Sequence, residues 1–246
     1  MNIGKQFLAE TRIRVQAESN ESKGLPQPTL ELPYDVTAPL IRLPEMGKVK
    51  VPVLDVRQAI EQRATVRHYA EQALSLEELS FLLWASQGVK QVTKRPVTLR
   101  TVPSAGARHA FETYVLINRV EGLKAGLYRY VALEHALLKL DAPVEICAQV
   151  TEAALKQEQI PSSAVTFIWV AVTERMTHRY GQRGYRYLHL DAGHVCQNLY
   201  LAGEVIGCGT CAIGAFDEDE LNTVLGLDGE ALWVVYMASL GKRKTE

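Results

Sequence analysis

The stretch Gly207–Phe216, GCGTCAIGAF, sets Cys208 and Cys211 in a C-x-x-C spacing among glycines. Such a pair can be a redox dithiol, half of a zinc site, or part of a tight loop in which the thiols are incidental. A thioredoxin-like dithiol opens a helix after a strand, where the helix N-terminus lowers the thiol pKa. Here the motif follows a helical pattern instead. His194, Cys196, Cys208 and Cys211 make a nominal set of four zinc ligands, close to the H-x-E…P-C-x-x-C of zinc deaminases. Position 196 is cysteine where that chemistry needs its glutamate, and no proline precedes Cys208. Residues 194 and 196 also project in different directions from a helix. Glycines at 203, 207, 209 and 214 point to close backbone approach, so the stretch reads as a backbone-lined loop without metal.

Two further stretches carry chemistry. In EQRATVRHY, Arg63, Thr65 and Arg67 offer two guanidinium forks and a hydroxyl just past a short helix. That set suits a phosphate. Cations at this place also complement a helix dipole, the commoner role on these residues alone. In PSAGARHAFETYVLI, Pro103 and Gly106 mark a turn before a strand, with Ser104, Ala105 and Arg108 beside them. Small residues there let a flat ligand lie against backbone. Neither a complete dinucleotide fingerprint nor a P-loop is present.

These stretches need elements to hold them. The chain has 246 residues, 47% hydrophobic, with net charge −1. That balance disfavours nucleic acid, which selects basic surfaces, and no polybasic run suggests membrane attachment. The start lacks a secretory h-region and the apolar runs are too short to span a bilayer, so a cytoplasmic protein is expected. Six of the ten prolines fall in residues 1–53, which read as an extended N-terminal arm, with the domain at 54–246. LDVRQAIEQR predicts a helix with Val56, Ala59 and Ile60 inward. Ser75 and Glu78 form a capping-box signature before LEELSFLLWASQ, stopped by Gly88. TYVLIN reads as a strand, LYRYV and ALLKL as a hairpin, Glu145–Gln157 as a helix, and AVTFIWVAV as a buried strand. Leu188, Ala192, Val195, Leu199, Ala202 and Ile206 line one helical face. Asp217 caps a short helix ending at Gly226, and LWVVYMAS is a last strand. Helices and strands do not alternate regularly, which predicts α+β.

In this order RATVR, PSAGARHAFETYVLI, YRYLHLDAGHVCQNLYLAG and GTCAIGAFDEDELNTVLGLDG resemble the FMN-dependent nitroreductase family, with its SagB-type dehydrogenase branch nearest. The resemblance covers roughly Val53 to Lys242. It implies a mostly antiparallel central sheet flanked by helices, in a homodimer with FMN at the subunit interface. It further implies that Arg63, Thr65 and Arg67 grip the FMN phosphate and ribityl chain. Pro103, Ser104, Ala105 and Gly106, with Arg108, would lie along the flavin, and Ala212, Ile213 and Gly214 would bring backbone to its N5 edge. Lys242 and Arg243 would return to the phosphate. NADH or NADPH would reduce the flavin, which would then reduce a small conjugated acceptor. Azoline-oxidising members of the branch use a Lys-Tyr pair; Arg179-Tyr180 stands nearest here, leaving Tyr180 a weak catalytic candidate and a stand-alone reductase the favoured expectation. The alternatives are a dehydrogenase acting on a heterocycle in a peptide or small molecule, and a flavin-binding protein without turnover.

Overall fold

The computed structural model describes residues 2–244. Its centre is the apolar run predicted as a strand, β7 (Val165–Val172). Val165, Phe167, Trp169 and Ala171 enter one core, while Ile168 and Val170 enter another. Both faces are covered, which is why polar residues do not alternate with apolar ones along it. Around β7 lie β1 (Leu40–Arg42), β4 (Phe111–Ile117), β5 (Gly126–Val131), β6 (Ala136–Lys139), β8 (Cys208–Ile213) and β9 (Leu232–Lys242). They form one antiparallel sheet in the order β1-β6-β5-β4-β7-β9-β8. A separate two-stranded ribbon joins β2 (Val89–Val92) to β3 (Thr98–Arg100).

One face of the sheet carries α3 (Leu76–Gln87), α6 (Thr173–Tyr180) and α7 (Gly184–Val205); the other carries α4 (Ile146–Ala153), α5 (Gln159–Ser162) and α8 (Glu218–Val224). This is the mixed α+β architecture expected, with helices on both sides of an antiparallel sheet. The capping box is formed: Ser75 Oγ accepts from the Glu78 N–H, and Glu78 accepts from the Ser75 N–H. α3 ends at Gly88, whose backbone turns extended; a Cβ there would lie 2.6 Å from the Trp84 carbonyl oxygen, so the position requires glycine. Leu188, Ala192, Val195 and Leu199 are buried along α7, as their spacing requires. The helix predicted over Glu145–Gln157 stops at Ala153; Leu155 and Lys156 turn into the left-handed region.

Two local expectations change. In α2 (Val56–Gln62) only Ala59 is buried, while Val56 and Ile60 are 69% and 57% exposed. The helix meets the body mainly along α7, too narrow a contact to cover three apolar positions. The glycine-bearing stretch at 208–213 is not a loop but β8, an edge strand paired with β9.

Residues before 54 begin with α1 (Ile3–Glu10) and later supply β1. Between them, residues 25–33 lie over buried charge. Arg175 Nε donates to the Thr29 carbonyl (2.8 Å) and Arg129 to that of Leu32 (3.0 Å). The Leu32 N–H donates to Glu112 (2.8 Å). Among the described residues no helix is long and apolar enough to cross a membrane.

Candidate functional site

Asp55 caps α2, accepting from the Arg57 N–H at 2.8 Å. The chain leaves that helix at Arg63 and runs extended beside β8. The Val66 N–H donates to the Thr210 carbonyl (3.0 Å), and the Ala70 N–H to that of Lys242 (2.9 Å). This approach explains two glycines. A Cβ on Gly209 would lie 2.4 Å from Val66 Cβ, and one on Gly241 would lie 2.9 Å from Tyr69 Cβ. Side chains at either position would push the Arg63–Ala70 segment off the sheet.

Tyr200, on α7, ties the segment to β8. Its hydroxyl accepts from the Ala212 N–H (2.9 Å), leaving its proton free to bond Thr65 Oγ1 (3.2 Å). The Arg63 guanidinium lies over the Tyr200 ring, 5.3 Å from its centroid. Arg67 is exposed beside Cys211, whose thiol it favours ionising against the stronger opposing effect of burial. Beyond Ile213, whose side chain is buried, Gly214 and Ala215 are exposed. Arg63, Thr65, Arg67 and Ala212 are therefore brought together, with Gly214 following. Among the described residues neither Arg63 nor Arg67 has a carboxylate within 4 Å. Two unneutralised forks, a hydroxyl and exposed backbone suit a phosphate-bearing cofactor. Lys242 and Arg243 differ: Lys242 pairs with Glu78 and Arg243 with Glu204, so neither offers a free cation.

The second stretch folds as a tight turn. Asp191 of α7 accepts from the Ala105 N–H (3.2 Å), and Ser104 Oγ accepts from the His109 N–H (2.9 Å). Burial pushes the Asp191 carboxyl up, while Ser104 and the Ala105 N–H pull it down. Ala107 and His109 have positive φ (55°, 42°), strain that clusters at functional sites, while Gly106 takes the same region (57°) freely. Pro103 leads into the turn. A Cβ on Gly106 would lie 2.5 Å from Tyr180 Oη, so Tyr180 closes one side of it. Arg108 is buried, donates to the Gly106 carbonyl (3.2 Å), and leaves Nη2 without a partner. Glu21 lies 3.8 Å from Arg108 and 2.9 Å from Arg179.

Asp191 and Tyr200 are nine residues apart on α7. At 1.5 Å and 100° per residue they stand about 14 Å apart and on opposite sides of the helix. The Arg63–Arg67 cluster and the Pro103–Arg108 turn of one chain thus flank α7 from different sides.

The C-x-x-C pair does not come together. Cys208 and Cys211 are three residues apart in a strand and so project to opposite faces of the sheet. Burial pushes the Cys196 and Cys208 thiols up to about 12. None is a ready thiolate, and among the described residues no three His, Cys, Asp or Glu side chains gather to hold a metal. Sequence reasoning passed over Tyr200, Asp191 and Glu21. Asp191 did leave a signal, a carboxylate beside the buried position Ala192 on an apolar stripe.

The model of the Nitroreductase family matches residues 60–242. A nitroreductase-named protein of Methanocaldococcus jannaschii is 36% identical over 185 residues, covering 75% of this chain and 88% of that protein. The trifolitoxin-processing protein TfxB of Rhizobium leguminosarum bv. trifolii is 32% identical over 137 residues, 52% of this chain and 36% of TfxB. Among solved structures, a nitroreductase-named protein of Anabaena variabilis superposes with TM-score 0.68 at 25% identity; the match covers 87% of this chain and 45% of that one. The Escherichia coli microcin synthetase McbBCD complex with truncated pro-MccB17 bound matches at TM-score 0.62 and 17% identity, over 99% of this chain and 92% of that one. A nitroreductase-named protein of Desulfovibrio desulfuricans in complex with FMN matches at TM-score 0.55 and 18% identity, over 78% of this chain and 88% of that one.

Proposed function

This chain belongs to the nitroreductase family of oxidoreductases, and from that premise we propose that it holds FMN and passes electrons from a nicotinamide donor to a small conjugated acceptor. Bound FMN would supply hydride acceptance and release, so the chain need furnish no nucleophile or paired carboxylates. Arg63 and Arg67 would fork onto the phosphate, each such charge-assisted bond worth roughly 1.5–3 kcal/mol, with Thr65 beside them. The backbone of Ala212–Gly214 would border the ring. One observation carries the reading: two guanidiniums without carboxylate partners stand beside Thr65, against Tyr200 and the Ala212 N–H. Lys242 and Arg243 are left out of this grip, because each already has a carboxylate.

A second copy of the chain would complete the site. The Pro103–Arg108 turn flanks α7 on the side opposite Tyr200, so it would serve a partner's flavin. Val53, Val56 and Ile60 are exposed around α2, next to an apolar groove lined by Leu54, Phe81, Trp84 and Leu201. Covering that groove with a second copy would bury what one copy leaves open.

The test is anaerobic mixing of the flavin-loaded protein with NADH or NADPH while following flavin absorbance. The flavin is expected to bleach and to recover when a quinone or nitro-aromatic is added. A yellow protein that neither donor bleaches would mean flavin binding without this turnover. A second reading, dehydrogenation of a heterocycle in a peptide, is favoured by the likeness to the peptide-bound McbBCD complex and to TfxB. Against it, the place of the expected lysine holds Arg179, a poor proton carrier that is paired with Glu21.

A further inference from the structure

Arg42, Arg108, Arg175, Arg179 and Arg243 each meet a carboxylate. Arg12, Arg14, Arg183 and Arg186 do not, among the described residues, and they share one place. They line a cavity of about 530 Å³ between the chain after α1 and the start of α7, with Leu8 and Ile13 as its apolar wall. A second cavity of about 350 Å³ shares Ile13 and Arg183 with it and continues to Arg179, Tyr180 and Tyr187. Tyr180, which lines this second cavity, also packs on Gly106. Together the two make a trough from the Gly106 turn out to four unneutralised guanidiniums. Glu18 lines the inner cavity, and Glu21, close by, is occupied by Arg108 and Arg179.

The outer end is built, not merely basic. Arg183 donates through Nη1 to the Thr11 carbonyl (2.6 Å) and through Nε to Tyr187 Oη (2.7 Å). Arg186 donates through Nη2 to Thr11 Oγ1 (2.5 Å), lies over the Phe7 ring, and keeps its buried Nε without a partner. Thr11 is itself buried. Two forks are thus held in place by neutral groups at one residue, which spends none of their charge. Charge gathered at one point suits a compact dianion, where an acidic peptide would need cations spread along its length.

We propose that this trough takes the phosphorylated tail of the electron donor, and that the four arginines favour a nicotinamide dinucleotide carrying a 2′-phosphate over one without it. The proposal rests on the reading of the chain as a nicotinamide-dependent oxidoreductase, and it concerns only where the donor's far end binds. The inner aromatic pair Tyr180–Tyr187, with ring centroids 4.7 Å apart, lines the path toward the Gly106 turn.

The probe is 2′,5′-ADP, compared with 5′-AMP by titration calorimetry on the full chain at low salt. The extra phosphate is expected to tighten binding at least tenfold, about the value of one charge-assisted bond. Raising the salt should erode that advantage. Arg12→Ala with Arg14→Ala, both exposed, should bring 2′,5′-ADP close to 5′-AMP. Equal binding of the two nucleotides, or none, would overturn the proposal, as would an oligoglutamate peptide binding more tightly than 2′,5′-ADP. Neither nucleotide needs the flavin, so a failure of FMN binding would be seen separately.

Discussion

Replacing Arg63 and Arg67 together with alanine is expected to weaken FMN binding by roughly 10²–10⁴-fold, two charge-assisted bonds' worth. The fold should survive, because Arg67 is exposed and Arg63 half-buried, and neither pairs with a carboxylate that would be stranded. Flavin fluorescence during titration of the variant reads the affinity, and circular dichroism checks the fold. Unchanged affinity would place the phosphate elsewhere, with Lys242 and Arg243 the next cations to examine.

Glu112→Ala should cause the largest loss of stability. Glu112 and Arg175 are 3% and 4% exposed and 2.7 Å apart. The approach is poorly aligned for a hydrogen bond, so the attraction is mainly Coulombic. Removing the carboxylate would leave the buried Arg175 without its direct partner and beside Arg100, with Glu31 the remaining carboxylate of the cluster, at a cost of roughly 3–5 kcal/mol. It would also free the Leu32 N–H and loosen residues 25–33 over the core. Urea unfolding should show a much lower midpoint at unchanged slope, and proteolysis should begin near residue 30. A loss below about 1 kcal/mol would mean that the buried charge is neutralised in some other way.

The family and its fold were legible because their signals are local and periodic. The stripe from Leu188 to Leu199, the Ser75–Glu78 capping box and the apolar run of β7 each express one element's burial. Elements whose environment is set by distant chain were less so. β8 reads as a loop because its one glycine, Gly209, is demanded by Val66, more than a hundred residues earlier, and not by a turn. Val56 and Ile60 follow a helical pattern that one copy of the chain does not cover. In the site, Arg63, Thr65 and Arg67 declared themselves by residue type. Tyr200 did not: a tyrosine beside a buried leucine reads as core, and only its hydroxyl, shared between Thr65 and Ala212, shows otherwise. Nor did sequence spacing reveal that Lys242 and Arg243 would meet Glu78 and Glu204.

The central claim is that the segment after α2 clasps a phosphate on a flavin. It is tested most directly by titrating the flavin-free protein with FMN and, in parallel, with riboflavin, which has the same ring and ribityl chain but no phosphate. FMN should bind at least about a hundredfold more tightly, in line with two charge-assisted bonds, and the preference should vanish in the Arg63→Ala, Arg67→Ala variant. Equal affinity for the two flavins, or no binding of either, would contradict it.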